Sequence, residues 1–287
     1  MTMEPLTTNL VLPAGAAVDL QMHTTYSDGT WLPEQLIDYL VGEQFGLAAV
    51  TDHDRVDSVG TIQQLAAQRG LPVLAAVEMS TTWRGEATDV LCYGFDPEQN
   101  ELEAIGKWVV NKQNEINQEV YFELQRKGFT FPREAEILKE TIGQPIQIRA
   151  VEMLLLEHGY STGPGSIGNI MTDAGFYFAM VNIDEVVDAA HRSSAVCVIA
   201  HPGRGVDFTL YDVDLLDKLR LEVPIDGLEA HYPLHTPEQT AMYLNYAEQH
   251  NLLVSSGSDS HGPEKTPIKY RAELSRKLLE RVGIRIE

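Results

Sequence analysis

Short apolar runs alternate with amphipathic stretches through residues 17–98. Ala17–Met22 reads as a buried strand, and residues 33–44 as a helix with proline in its first turn. Residues 47–53 form the next apolar run, and 61–70 a helical pattern closed by glycine. Two further strands are predicted over 71–79 and 88–95. Strand–helix alternation of this kind points to a largely parallel α/β sheet. From 99 to 190 the spacing turns helical: one long helix over 101–128, shorter ones near 148–158 and 184–193, and a glycine-rich loop at 161–168. Strands return at 194–201, 226–232 and 252–258, with helical patterns between them. The parse is one α/β domain, 1–98 plus 191–287, interrupted by a helical insertion over 99–190. The stretch 269–287 reads as a basic amphipathic helix with a short tail, packed on that domain.

The 287 residues, 44% hydrophobic and 22% charged, fit a globular chain of one large domain or two smaller ones. Charge alters the picture more. Forty-two acids against 21 lysines and arginines leave a net −21, a surface that repels duplex nucleic acid. A small phosphorylated ligand remains compatible, because bound metal ions can supply a local positive field. No apolar run is long enough to predict a membrane span. The first residues lack the basic start and apolar stretch of a secretory leader. Cys92 and Cys197 sit far apart inside apolar runs, which fits a reduced, cytoplasmic setting.

Of nine histidines, His23, His53, His201, His231 and His261 fall at or just past predicted strand ends, with acids or glycines beside them. In an α/β barrel those ends converge on one face, where active sites form. Histidines and carboxylates meeting there predict a polynuclear metal site, suited to zinc, manganese or iron and tolerant of magnesium. His158, His191 and His250 lie in helical stretches and carry no predicted role.

Five segments, DLQMHTTYSDGT (19–30), TDHD (51–54), AVEMS (76–80), AHPGR (200–204) and GSDSHG (257–262), together resemble the polymerase-and-histidinol-phosphatase (PHP) family. The match spans about 17–98 and 194–265, and the helical insertion resembles the family's small phosphoesterase branch. The resemblance implies a distorted (β/α)7 TIM-like barrel holding two or three divalent ions (Mn, Zn, Fe or Mg). By motif position it implies three ligand clusters: Gln21, His23, Glu78 and Asp259; Asp28, His53 and His261; and Glu78, Asp89 and His201. Two positions depart from the family, with Gln21 and Asp89 standing where it has histidines. Glutamine offers a neutral oxygen, a poor zinc ligand, whereas aspartate favours harder ions.

The activity implied is hydrolysis of a small phosphate monoester, nucleotide-like or otherwise, by a metal-activated water. Asp28 and His53 would serve that centre, and Arg204 would hold a phosphate oxygen. Arg149, in the stretch 146–153 and in imperfect register with the branch's phosphate contacts, would be their remnant. His231 and His235 would flank the mouth, one of them protonating the leaving group. Asp52 and Asp54 would orient the ligands. Two competing readings are a degenerate domain that binds metal or ligand without turnover, motivated by Gln21 and Asp89, and a metal hydrolase of a C–N bond.

Overall fold

The computed structural model describes residues 5–138, 148–205 and 208–287. Its elements in chain order begin with β1 (Val11–Leu12), β2 (Ala17–Asp19), α1 (Pro33–Gly42), β3 (Leu47–Ala48), α2 (Val56–Ala67), β4 (Ala76–Met79), β5 (Thr81–Trp83), β6 (Glu86–Ala87) and β7 (Val90–Tyr93). Then come the helices α3 (Leu102–Arg126), α4 (Glu134–Ile137), α5 (Ile148–Glu157) and α6 (Ser166–Asp173). The chain continues through β8 (Val181–Asn182), α7 (Ile183–Arg192), β9 (Val196–Ile199), α8 (Val213–Glu222), β10 (Gly227–His231), α9 (Pro237–Gln249) and β11 (Leu253–Ser256). It closes with β12 (Tyr270–Arg271), α10 (Arg276–Arg281) and β13 (Arg285–Ile286).

The main sheet runs β11-β10-β9-β7-β4, and a second runs β12-β2-β3. Isolated parallel bridges join them edge to edge: Ala48 to Val73 and His53 to Glu78 on one side, Met22 to Ser260 on the other. The order is α/β but less parallel than the sequence predicts. β9, β10 and β11 are parallel, whereas β7 runs antiparallel to both β4 and β9. The cause lies between β4 and β7, where only the short strands β5 and β6 intervene. Without a crossover helix the chain can only return antiparallel.

Strand alternation separates two apolar layers. Val90 and Cys92 of β7, with Cys197 and Ile199 of β9, face the layer shared with α7, α8 and α9. Leu91, Tyr93, Val196 and Val198 face the other layer, with Leu20, Leu47 and Ala76. A third cluster beneath α1 and α2 holds Leu36, Leu40, Phe45 and Ile62. Helix starts follow from local chemistry. Thr236 and Gln239 close a capping box on α9 with Pro237 behind it, and Asp212 caps α8.

Helices α3–α6 bury a core of their own, built on Val109, Ile116, Val120, Leu124, Leu154, Leu155 and Met171. Along α3 the buried positions Gly106, Val109, Gln113, Ile116, Val120 and Leu124 recur at helical spacing. The helix predicted near 184–193, which the sequence groups with the insertion, packs instead on the main sheet as α7, through Val186, Val187 and Ala190. The C-terminal stretch also differs from a single helix. It pairs as β12 with β2, turns, forms α10 with Leu278 and Leu279 buried, and ends as β13 beside β1.

Candidate metal centre

The donor side chains gather where β2, β3, β4, β9 and β11 end. The loop after β2 carries His23 and Asp28, and Asp52 pins it. Asp52 Oδ1 accepts from Thr24 N at 2.6 Å and from Ser27 Oγ at 2.7 Å, and its Oδ2 accepts from Thr24 Oγ1 at 2.7 Å. Gly29 closes the turn, for a Cβ there would stand 2.6 Å from the His23 carbonyl oxygen. Three non-glycine residues beside the ligands adopt positive φ: Asp54 (58°), His201 (29°) and Asp259 (53°). Such backbone persists only when over-determined by its surroundings. Here Asp54 N donates to Glu78 O, Asp259 N to Gln21 O, and His201 N to Glu229 Oε2 at 2.9 Å.

His23 stands at the middle, fully buried, its ring stacked between those of His53 (4.7 Å) and His261 (4.2 Å). Its Nε2 lies 3.0 Å from Glu78 Oε2 and 3.3 Å from Asp259 Oδ1. Asp28 faces His261 Nε2 at 3.2 Å and His53 Nε2 at 4.0 Å. Glu78 receives Gln21 Nε2 at 2.8 Å on one oxygen and meets His201 Nε2 at 3.1 Å on the other. Three donor sets close within 4.8 Å: His23, Asp28, His53 and His261; His23, Glu78 and Asp259; and His53, Glu78 and Asp89. In the third set His53 takes the place that the motif resemblance gives to His201, which instead abuts Glu78. Gln21 meets Glu78 through its amide nitrogen, which leaves its Oε1 buried without a partner.

Burial alone would neutralise these carboxyls, but the neighbouring imidazoles reverse it. Asp28 is desolvated yet held far below the ordinary carboxylate range by His53, His261 and His23. Glu78 is likewise depressed by His53, His201 and His23, and Asp259 by His23 and His261. Asp89 behaves oppositely: burial, with Glu78 beside it, pushes its carboxyl up to about 7. The rings respond in kind, His23 being raised against burial by Asp259 and Glu78.

The residues fit divalent ions on a structural ground. Nδ1 of His23 and Nδ1 of His53 are buried with no hydrogen-bond partner, and His23 Nε2 stands between the Glu78 and Asp259 carboxylates without a well-aligned hydrogen bond to either. Buried polar atoms of native proteins are nearly always satisfied, and imidazole and carboxylate donors at this density suit metal ligation.

Around this centre the other predicted residues divide. Arg149 of α5 donates to the Asp28 carbonyl at 2.6 Å, so the insertion reaches the ligand loop. Ile146 and Gln147, which begin its predicted stretch, lie outside the described residues. Arg204 sits 3.8 Å from Asp259 Oδ2, its guanidinium 4.7 Å from the Phe208 ring. His235 does not present a free ring. Its Nε2 accepts from Gly203 N at 3.0 Å and its Nδ1 meets Ala230 O at 3.2 Å, so both nitrogens are committed to backbone. His231 joins none of the donor sets; its ring lies 6.4 Å from Tyr270, and burial lowers its pKa. Asp54 binds Ser80 N through Oδ1 at 3.0 Å.

Three residues that the sequence does not single out belong to the site. Lys265 Nζ donates to Asp259 O at 2.8 Å, and Tyr232 Oη donates to Asp259 Oδ2 at 3.2 Å. Glu229, wholly buried, holds the His201 backbone. Glu229 and Tyr232 lie in the apolar-and-histidine run 226–232, where their polarity on a buried strand was the available signal. For Lys265 there was none.

Similarity to known proteins points the same way as the fold and the donor set. No family model matches the chain. It is 27% identical over 264 residues to the 3',5'-nucleoside bisphosphate phosphatase of Chromobacterium violaceum, covering 86% of this chain and 88% of that one. It is 25% identical to the 5'-3' exoribonuclease Rnm of Escherichia coli, covering 85% of each. In fold it matches a Bifidobacterium adolescentis protein that carries a provisional assignment as a metal-dependent phosphoesterase. There the TM-score is 0.74 at 23% identity, covering 94% of this chain and 98% of the other. The resemblance read from the five motifs is borne out.

Proposed function

We propose that the chain is a metal-dependent phosphoesterase that hydrolyses a small phosphorylated molecule. The observation that carries this reading is the convergence of His23, Asp28, His53, Glu78, Asp89, Asp259 and His261 into three overlapping donor sets, with buried ring nitrogens left for a ligand. Two or three divalent ions (Mn, Zn, Fe or Mg) are the intended occupants, and Gln21 and His201 support them through Glu78. When bound, such ions acidify a water and neutralise charge on a phosphoryl group.

The chain's own residues supply the rest. Arg204, Arg149 and the newly placed Lys265 bring three cations to the rim from three different segments, and these hold the phosphate oxygens. The Asp28 carboxylate, kept ionised by His53 and His261, stays an acceptor across neutral pH. His231 remains the proposed proton donor to the leaving group. His235 orients the His201–Gly203 turn. The seven strands β2, β3, β4, β7, β9, β10 and β11 are proposed as the distorted (β/α)7 barrel. The bridges at both sheet edges support it. The separate core of α3–α6 supports a distinct insertion domain. Two buried free thiols fit a cytoplasmic setting.

A second reading, release of nucleotides from an RNA end, is favoured by the likeness to the exoribonuclease. The net −21 charge weighs against duplex substrates. A panel of nucleoside bisphosphates, simple monoesters and short single-stranded RNA, assayed with added manganese, zinc, iron or magnesium, separates the two. Inorganic phosphate released from small esters, and abolished by Asp28→Ala and His53→Ala, supports the main reading. Mononucleotide release from RNA alone supports the second. No release from any substrate supports a degenerate binding domain, and turnover of cyclic amides alone a C–N hydrolase.

A further inference from the structure

A second cluster of metal-type donors lies at the opposite end of the main sheet. We infer that His191, Cys197 and Asp226 form a binding site for a thiophilic divalent cation of the zinc or cadmium type, separate from the phosphoesterase centre. His191 closes the last turn of α7, Cys197 is second in β9, and Asp226 immediately precedes β10. Parallel pairing of β9 with β10 sets the last two side by side: Asp226 N donates to Cys197 O, and Cys197 N to Asp226 Oδ2 at 2.8 Å. His201 lies four residues further along β9's direction, roughly 13 Å at strand rise. The two centres therefore share no ligand.

One donor atom from each of the three residues falls within 4.8 Å of the others. Donors around a tetrahedral zinc ion, each at about 2.0–2.3 Å from it, stand roughly 3.3–3.8 Å apart, so small side-chain movements would close the set on an ion. Among the described residues this is the only such set that contains sulfur. Thiolate with imidazole selects soft or borderline ions over the magnesium or manganese that a carboxylate-rich centre accepts. The His191 ring already points at the carboxylate, with Nε2 2.8 Å from Asp226 Oδ2, and Oδ1 takes no hydrogen bond from the described residues. Cys92 supplies a further sulfur, 3.8 Å from that of Cys197 across the paired strands. The set is open to solvent on one side, since the side chains of His191 and Asp226 are 34% and 25% exposed while both thiols are buried. Cys92 and burial keep the Cys197 thiol protonated in the free protein, so binding releases a proton.

The test is titration of the full chain with cadmium, read through the ultraviolet thiolate-to-cadmium charge-transfer band. The phosphoesterase centre has no sulfur donor and cannot contribute to that band, so the result is independent of the proposed activity. One band-forming equivalent is expected in the wild type, absent in Cys197→Ser. His191→Ala, at a partly exposed position that folding tolerates, should bind cadmium at least tenfold more weakly. Phosphate release by that variant should be unchanged. No band in the wild type overturns the proposal. So does a band of equal affinity in His191→Ala, which would assign the ion to the Cys92–Cys197 pair alone.

Discussion

Asp52 shows how much of the centre depends on a residue that binds no ligand. It accepts three hydrogen bonds from Thr24 and Ser27, which lie just inside the two ends of the stretch bounded by His23 and Asp28. Asp52→Ala should cost about 3 kcal/mol in urea unfolding, because buried donors lose a charged acceptor. It should also weaken metal affinity roughly 10–100-fold in a competition titration. Asp19 sets a pH dependence. Burial pushes its carboxyl up to about 7 against the hydrogen bonds from Ser258, Ile268 and Gln21. An unfolded aspartate releases its proton near pH ~4. Between the two values the folded chain holds a proton that the unfolded chain has lost, so stability falls as pH rises through that window. Asp19→Asn lacks this titration. The wild type's stability advantage over it should therefore shrink by roughly 4 kcal/mol between about pH 4 and pH 7. An advantage that stays constant across the window contradicts the assignment. At this scale the sequence exposes residues whose chemistry is rare on a buried strand end, such as His23, His53 and Glu78. It conceals Lys265, an ordinary surface residue type brought to Asp259 only by the path of its loop.

Among the elements, α3 bears on the site through a close backbone approach. A Cβ at Gly106 would collide with the carbonyl oxygen of Asp54, next to His53. The helix therefore rests directly on the ligand loop. Gly106→Val should lift α3, lower kcat and destabilise the fold by about 1–3 kcal/mol as an overpacking change, measured by steady-state kinetics and thermal unfolding together. An unaltered kcat would mean that the loop does not feel the helix. Apolar periodicity made the strands, α1 and the length of α3 legible. It could not reveal the direction of β7, because a buried strand reads the same forwards and backwards and only the connection decides. Nor could it assign α7 to the main sheet, since an amphipathic face does not name its partner.

Across the whole molecule, the excess of 21 negative charges meets a centre that buries Glu78, Asp89 and Asp259 together. Divalent ions bound there would relieve that repulsion and stabilise the folded chain, which alone assembles the donor sets. Saturating manganese at about a hundred times its Kd should add roughly 2.7 kcal/mol of stability over chelator-treated protein, visible as a rise in Tm by calorimetry. Equal melting with and without metal would count against the donor sets as a binding centre.

The main-sheet strands before and after α3–α6 in the sequence, β7 and β9, lie side by side, with Tyr93 opposite Val196. The chain thus leaves the sheet and re-enters it across a single rung of the ladder. A segment hung on adjoining rungs can be exchanged for another without moving either rail. Through Arg149, that segment touches the loop that carries His23 and Asp28. Exchanging that segment whole would change what surrounds the donor side chains, while the strands that carry the histidines and carboxylates stay in place.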